Sequence, residues 1–242
     1  MTRRGLIRSL AATLAAAAIL APFAAQADDQ HASELVQVGT YDYLTQPDFT
    51  GLASVGRIAQ GQTLGLGTFA NLDGELVMVG GKVYQVRPDG TPRVADLETR
   101  TPFMQAIKFR PEVDAPVPPG TTCAQLPGLI TGLAKRSDGI IAVRVRGTFS
   151  ELVTRSVTAD PPPFQPLSQT IAEQTVFELG ERRAALVGFW QERDALGIGQ
   201  YGLHLHGLTA DRTAGGHVLS CIAGDDVQLS IQPVASVQVR TP

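Results

Sequence analysis

The chain has 242 residues, 43% of them hydrophobic and 18% charged, which excludes a disordered polypeptide because the apolar content can offset the entropy of ordering. Its 20 Lys+Arg against 23 Asp+Glu leave a net charge of −3, and a mildly acidic globule lacks the basic footprint that nucleic acid or an anionic membrane would require. With 25 Gly, 16 Pro and 6% aromatics, turns and short strands are expected over long helices, and a small molecule is the default partner.

Residues 1–27 read as a cleaved export signal. Arg3, Arg4 and Arg8 form a basic start, Leu10 to Ala21 is apolar apart from Thr13, and Ala25-Gln26-Ala27 supplies a small-x-small cleavage site before Asp28. The apolar run is far short of the ~20 residues that a membrane-spanning helix needs. The remainder is therefore expected in the periplasm or outside the cell, with no membrane association after cleavage. Removing three arginines from −3 leaves it at −6. Thr2-Arg3-Arg4-Gly5-Leu6-Ile7-Arg8 also resembles a twin-arginine signal, so both export routes stay open.

A strand is expected at 36–43 and a short helix within 47–60. Glu75 to Val79 and Lys82 to Val86, separated by Gly80-Gly81, predict a β-hairpin with a two-residue turn. A turn follows at 90–93, then β structure at 101–109. Pro111 to Gly120 is expected to be a loop, since four prolines break it. Leu126, Ile130, Leu133 and Ala134 fit one helical face. Ile141, Val143 and Val145 alternate with Arg144 and Arg146 as a half-buried strand, with 148–157 read as its partner. A proline-rich connector at 160–166 precedes a helical turn in 167–178, and strands at 184–190, 202–208 and 216–222 complete the pattern. A seam near 136–139 divides the exported chain into parts 28–138 and 139–242. Cys123 and Cys221 are compatible with a disulfide in an oxidising compartment, although 98 residues separate them.

Three of the four histidines fall within 14 residues. In a strand, i and i+2 share a face, so His204 and His206 project side by side. Asp211-Arg212 and Gly215-Gly216 can turn the chain back and bring His217 beside them. Three neutral imidazoles on a rigid β scaffold suit Zn²⁺, with a position left open to water or substrate. The His-x-His pattern also suggests a cupin, but the position where a cupin places glutamate is Ala210; iron or manganese remains an alternative metal.

Five groups of residues then resemble, in order, the α-acetolactate decarboxylase family. They are Gly65-Leu66-Gly67-Thr68-Phe69 with Asn71-Leu72-Asp73-Gly74-Glu75-Leu76; Gly81-Lys82-Val83-Tyr84-Gln85 with Thr101-Pro102-Phe103; Gly147-Thr148-Phe149 with Thr154-Arg155-Ser156-Val157; Tyr201-Gly202-Leu203-His204-Leu205-His206; and Gly215-Gly216-His217-Val218-Leu219. The likeness implies an α+β, β-rich fold, with a mixed sheet in the N-terminal part and a small β-barrel-like C-terminal part that carries the metal site. It also implies a possible homodimer. The implied reaction is decarboxylation of 2-acetolactate, a 2-hydroxy-3-keto acid, to (R)-acetoin through a metal-stabilised enediolate, the chemistry of acetoin and butanediol formation. It assigns one Zn²⁺ per chain to His204, His206 and His217, and catalytic roles to Glu75 and Arg155. The same likeness implies a second glutamate near the C-terminus, yet residues 227–242 hold no acid. A metal-binding relative that binds or enolises another hydroxy-keto acid is therefore the second class.

Overall fold

Alternating apolar positions build two β-sheets that share a buried face. The computed structural model describes Met1 and residues 33–136, 138–193 and 197–240. The expected export signal and its cleavage site, beyond Met1, lie outside the described residues, as does Ser137 in the expected seam.

The first sheet takes its strands largely from the N-terminal half. They are β1 (Glu34–Val38), β3 (Leu64–Thr68), β4 (Glu75–Val79), β5 (Lys82–Val86), β6 (Pro92–Val94) and β8 (Met104–Ile107). A short separate pair, β2 (Ala53–Ser54) and β7 (Arg100–Thr101), lies beside helix α2 (Val55–Ala59), while helix α1 (Tyr41–Leu44) follows β1. The second sheet contains β9 (Val113–Pro116), β10 (Ile140–Ser156), β11 (Thr175–Glu178), β12 (Arg182–Gln191), β13 (Gly202–Thr209), β14 (Gly215–Ala223) and β15 (Gln228–Pro233). Strand β16 (Ser236–Arg240) returns to the first sheet and pairs parallel with β1, whereas the other pairings are antiparallel; the first sheet is thus mixed. Helix α3 (Leu126–Ala134) covers the second sheet, and α4 (Leu167–Ala172) follows the proline-rich connector.

The second sheet curls into a four-stranded barrel because β10 is long enough to pair twice. Its first part pairs with β12 and its last part with β14, and β13 joins those two. The period-2 rule sorts its residues between two cores. Ile141, Val143 and Val145 point into the barrel with Leu186, Leu205 and Ile231. Ile140 and Ala142 point the other way and meet Val187, Phe189, Leu66 and Val77 between the two sheets. A third apolar layer lies behind the first sheet, where Leu76, Met78 and Met104 pack on Val55 and Ile58 of α2.

The β-rich, two-part architecture and the Gly80-Gly81 hairpin match expectation. Five readings need correction. The turn expected at 90–93 closes earlier, with the Gly90 N–H donating to the Arg87 carbonyl, and Pro92–Val94 is strand β6. The first strand ends at Val38, and 41–44 is a helical turn that Thr40 caps by accepting the Tyr43 N–H at 3.0 Å. Residues 148–157 do not turn back as a partner: 140–156 is one strand, bulged near Val153. The proline-rich 111–120 contains β9, whose one proline, Pro116, is tolerated because the strand is a sheet edge. Finally, β15 and β16 lie beyond the last expected strand. The two sheets exchange strands, since β9 precedes residue 138 and joins the second, and β16 follows it and joins the first. Cys123 and Cys221 form a disulfide that ties the turn before α3 to β14.

Candidate metal centre

The centre lies between the sheets, and its residues reach it by strand parity. Across the barrel wall, Arg155 on β10 stands directly opposite His217 on β14, and His217 stands opposite His206 on β13. Directly opposed residues share a face, so all three project toward the first sheet. His204 joins them two residues before His206. From the facing sheet, Glu75 opens β4 on the same side as Val77, the side that packs against the barrel.

Two glycines make the arrangement sterically accessible. Gly216, next to His217, has φ +129°, and a Cβ there would lie 2.3 Å from the carbonyl oxygen of Arg155. Gly74, next to Glu75, has φ +81°, and its Cβ would lie 2.3 Å from the carbonyl oxygen of Val86. Each therefore lets a strand carrying a site residue approach its neighbour closely. Just before them, Asn71 and Leu72 hold φ of 61° and 55°, a left-handed conformation costing on the order of 1–3 kcal/mol per non-glycine residue. The Asn71 N–H donates to Phe49 and the Asp160 N–H donates to Asn71, at 2.6 and 2.7 Å, which holds the turn in place.

The three imidazoles converge. Nε2 of His204 lies 3.2 Å from Nε2 of His206 and 3.2 Å from Nδ1 of His217, and the latter two are 3.3 Å apart. Metal–nitrogen bonds of ~2.0–2.1 Å at tetrahedral angles put neighbouring ligand nitrogens ~3.3–3.4 Å apart, so the triangle has the size of three ligands around one such ion. His206 donates its Nδ1–H to the carbonyl of Leu76 at 2.7 Å, which leaves Nε2 as a lone-pair donor toward the centre. Burial, reinforced by neighbouring positive charge, holds all three imidazoles well below the ordinary histidine range, with His204 pushed down to about 3. Neutral rings are what a metal requires. These three residues could hold a metal ion.

Glu75 and Arg155 form a buried ion pair beside the triad, and the second Glu75 oxygen lies 3.4 Å from Nε2 of His206. Burial pushes the Glu75 carboxyl upward, against the opposing pull of the guanidinium. All five residues singled out in the sequence thus line one pocket. Its enclosed space is about 70 Å³, against the ~10–15 Å³ that one water needs, which suits a small acid. The sequence assigns no apolar wall: Leu72, Phe103 and Val157 enter it only as motif residues, and Leu44, Leu167 and Ile171 have no site role there, yet all six line the pocket. Such residues carry no chemical signature.

Among known proteins, the family model described as "Alpha-acetolactate decarboxylase" matches residues 35–242. The alpha-acetolactate decarboxylase of Klebsiella aerogenes is 32% identical over 191 residues, covering 77% of this chain and 72% of its own. That of Bacillus subtilis is 29% identical over 214 residues, covering 88% and 84%. The crystal structure of alpha-acetolactate decarboxylase from B. subtilis strain 168 superposes with a TM-score of 0.82 at 28% identity, covering 87% of this chain and 89% of that one.

Proposed function

We propose, given that this chain belongs to the alpha-acetolactate decarboxylase family, that it converts 2-acetolactate to (R)-acetoin and CO₂ with one zinc ion held by His204, His206 and His217. The enzyme is accordingly a carbon–carbon lyase acting on a small molecule. The observation that carries the zinc reading is the convergence of three neutral imidazoles on one point, facing a buried carboxylate–guanidinium pair.

A zinc ion bound there supplies Lewis-acid stabilisation of the negative charge that develops on the substrate oxygens. The chain's own residues do the rest. Arg155 presents a planar fork that matches the substrate carboxylate and fixes the bond to be broken. Breaking the C1–C2 bond releases CO₂ and leaves its electron pair shared between C2 and the ketone oxygen as an enediolate. Glu75, on one side of that plane, delivers a proton to C2 or orders the water that does so, and a single delivery face fixes the product's hand. The apolar wall lowers the local dielectric around them, which strengthens both interactions.

Purified protein incubated with racemic acetolactate should release acetoin and CO₂ in equal amounts, with the (R) product in excess. It should also contain one zinc per chain by elemental analysis, and His206→Ala should lose most of it. Absence of acetoin from zinc-loaded protein would reject the decarboxylase reading, and full zinc in His206→Ala would reject the ligand set. Export to the periplasm or beyond belongs to the same proposal. The exported protein should have the mass of a chain starting near Asp28, and retention of residues 1–27 would refute it.

A further inference from the structure

The polar part of the pocket accounts for every polar group of a 2-hydroxy-3-keto acid. The histidine triad, Glu75 and Arg155 face the hydroxyl, ketone and carboxylate, and what remains of the substrate is alkyl. Of the rest of the lining, Tyr41, Thr68 and Gln200 carry polar groups, and Leu44, Leu72, Phe103, Val157, Leu167 and Ile171 form the apolar wall, of which Leu72 is the most constrained member. It is 2% exposed and lies three residues before Glu75. Its backbone sits at φ 55°, where glycine or asparagine is the ordinary occupant. A leucine held in that conformation contributes something that glycine cannot, namely a side chain. Val157 belongs to the same lining and the same apolar cluster, two residues beyond Arg155 and 4% exposed. Leu167 and Ile171 on α4 are only half-buried and belong to the rim.

The geometry points to Leu72 as the specificity-determining residue for the C2 alkyl group: with Val157 it walls a methyl-sized subsite next to the carboxylate-binding Arg155. This inference rests on the reading of the pocket as a 2-hydroxy-3-keto acid site. Replacing Leu72 by glycine removes four carbons from the wall and also suits the left-handed backbone, so the turn keeps its conformation.

Two readouts test it on the full protein. The first is the ratio of kcat/KM for the 2-ethyl and 2-propyl homologues over the 2-methyl substrate. The second needs no turnover: the affinities of 2-hydroxy-2-methylbutanoate and its 2-ethyl and 2-propyl analogues, by calorimetry. In Leu72→Gly both should shift toward the longer chain by about 10-fold or more, the lower end of what one methylene is worth in an apolar pocket. Leu72→Met, which keeps the bulk, should retain the wild-type order. Val157→Ala enlarges the same subsite on an ordinary backbone and should shift it in the same direction, which covers the case in which Leu72→Gly fails to fold. Wild-type turnover of acetolactate with no change of order in Leu72→Gly or Val157→Ala would overturn the subsite. A shifted binding order in a protein that makes no acetoin would uphold the subsite and sink the decarboxylase reading. Absence of both turnover and binding would sink both.

Discussion

The carbonyl oxygen of Leu76 lies 2.7 Å from Nδ1 of His206, across the seam between the two sheets. A carbonyl can only accept, so it fixes the proton on Nδ1 and points the Nε2 lone pair at the centre. His204 has no such partner among the described residues: its Nδ1 is buried without a hydrogen bond. In metal-free protein, His206 is therefore expected as a single Nδ1–H tautomer and His204 as the Nε2–H tautomer, donating to Nε2 of His206 at 3.2 Å. Two-bond ¹⁵N–¹H spectra of the imidazoles check this, and an Nε2–H tautomer at His206 would contradict the hydrogen bond.

Glu75 touches Arg155 and approaches His206 without entering the histidine triangle. Glu75→Gln keeps the shape and a hydrogen-bond acceptor for Arg155 while removing the acid. Zinc content should stay at the wild-type level while acetoin formation falls ~10²–10⁴-fold, the usual range for general acid–base assistance. Loss of metal would make Glu75 a ligand, and unchanged turnover would remove it from the mechanism.

Arg155→Lys preserves charge and loses the two-pronged geometry. A compact ammonium cannot hold both Glu75 and a substrate carboxylate in one plane. The expected result is a rise in KM of about 10-fold or more with zinc retained, read by steady-state kinetics and elemental analysis. Kinetics equal to wild type would leave Arg155 a structural partner of Glu75 alone.

Acid should destabilise the metal-free protein. All three site histidines have folded pKa values depressed by burial, so below the ordinary value of about 6.5 the unfolded chain binds protons that the native state refuses. Their contribution is fully present above that value and is lost as pH falls through the window down to the depressed values, by at most about 1.4 kcal/mol per pH unit for each histidine. Glu75 works in the opposite direction: its raised pKa favours the folded state at low pH and disfavours it once the carboxyl must ionise. Denaturant midpoints of chelator-treated protein between pH 7.5 and 5 should fall, and His204→Gln should flatten the slope. A midpoint that rises on acidification would contradict the burial of neutral rings.

Much of this site could be read from the chain because its signals are local. His204-Leu205-His206 needs only the two-residue period of a strand, and Asp211 to Gly216 supplies the residues of a reversal. What stayed hidden depends on partners far away in sequence. The expected strands stop short of Gly147 on one side and begin after it on the other, yet it lies in the interior of β10, where a Cβ would be 2.6 Å from Cα of Val227. It is small so that another segment can pass, a reason that no window of local sequence contains. The prolines of 111–120 marked a loop correctly by propensity, and a sheet edge overrode it. Nothing near Ser236–Arg240 specifies β1, some two hundred residues earlier, as its partner. The pairing of Glu75 with Arg155 likewise follows from the docking of two sheets, and only the family resemblance had drawn attention to those residues.

The exchange of strands between the sheets also sets an order of events during synthesis. A ribosome releases Glu75 and Leu76 long before His206 and His217, and the partner of β1 comes last of all. Until Ser236–Arg240 has emerged, one edge of β1 lacks its partner in the first sheet, and until β14 has formed, the third imidazole is missing. The three imidazoles can therefore converge on one point only after His217 has emerged. The order in which the residues are made thus completes the triad before the first sheet gains its last strand.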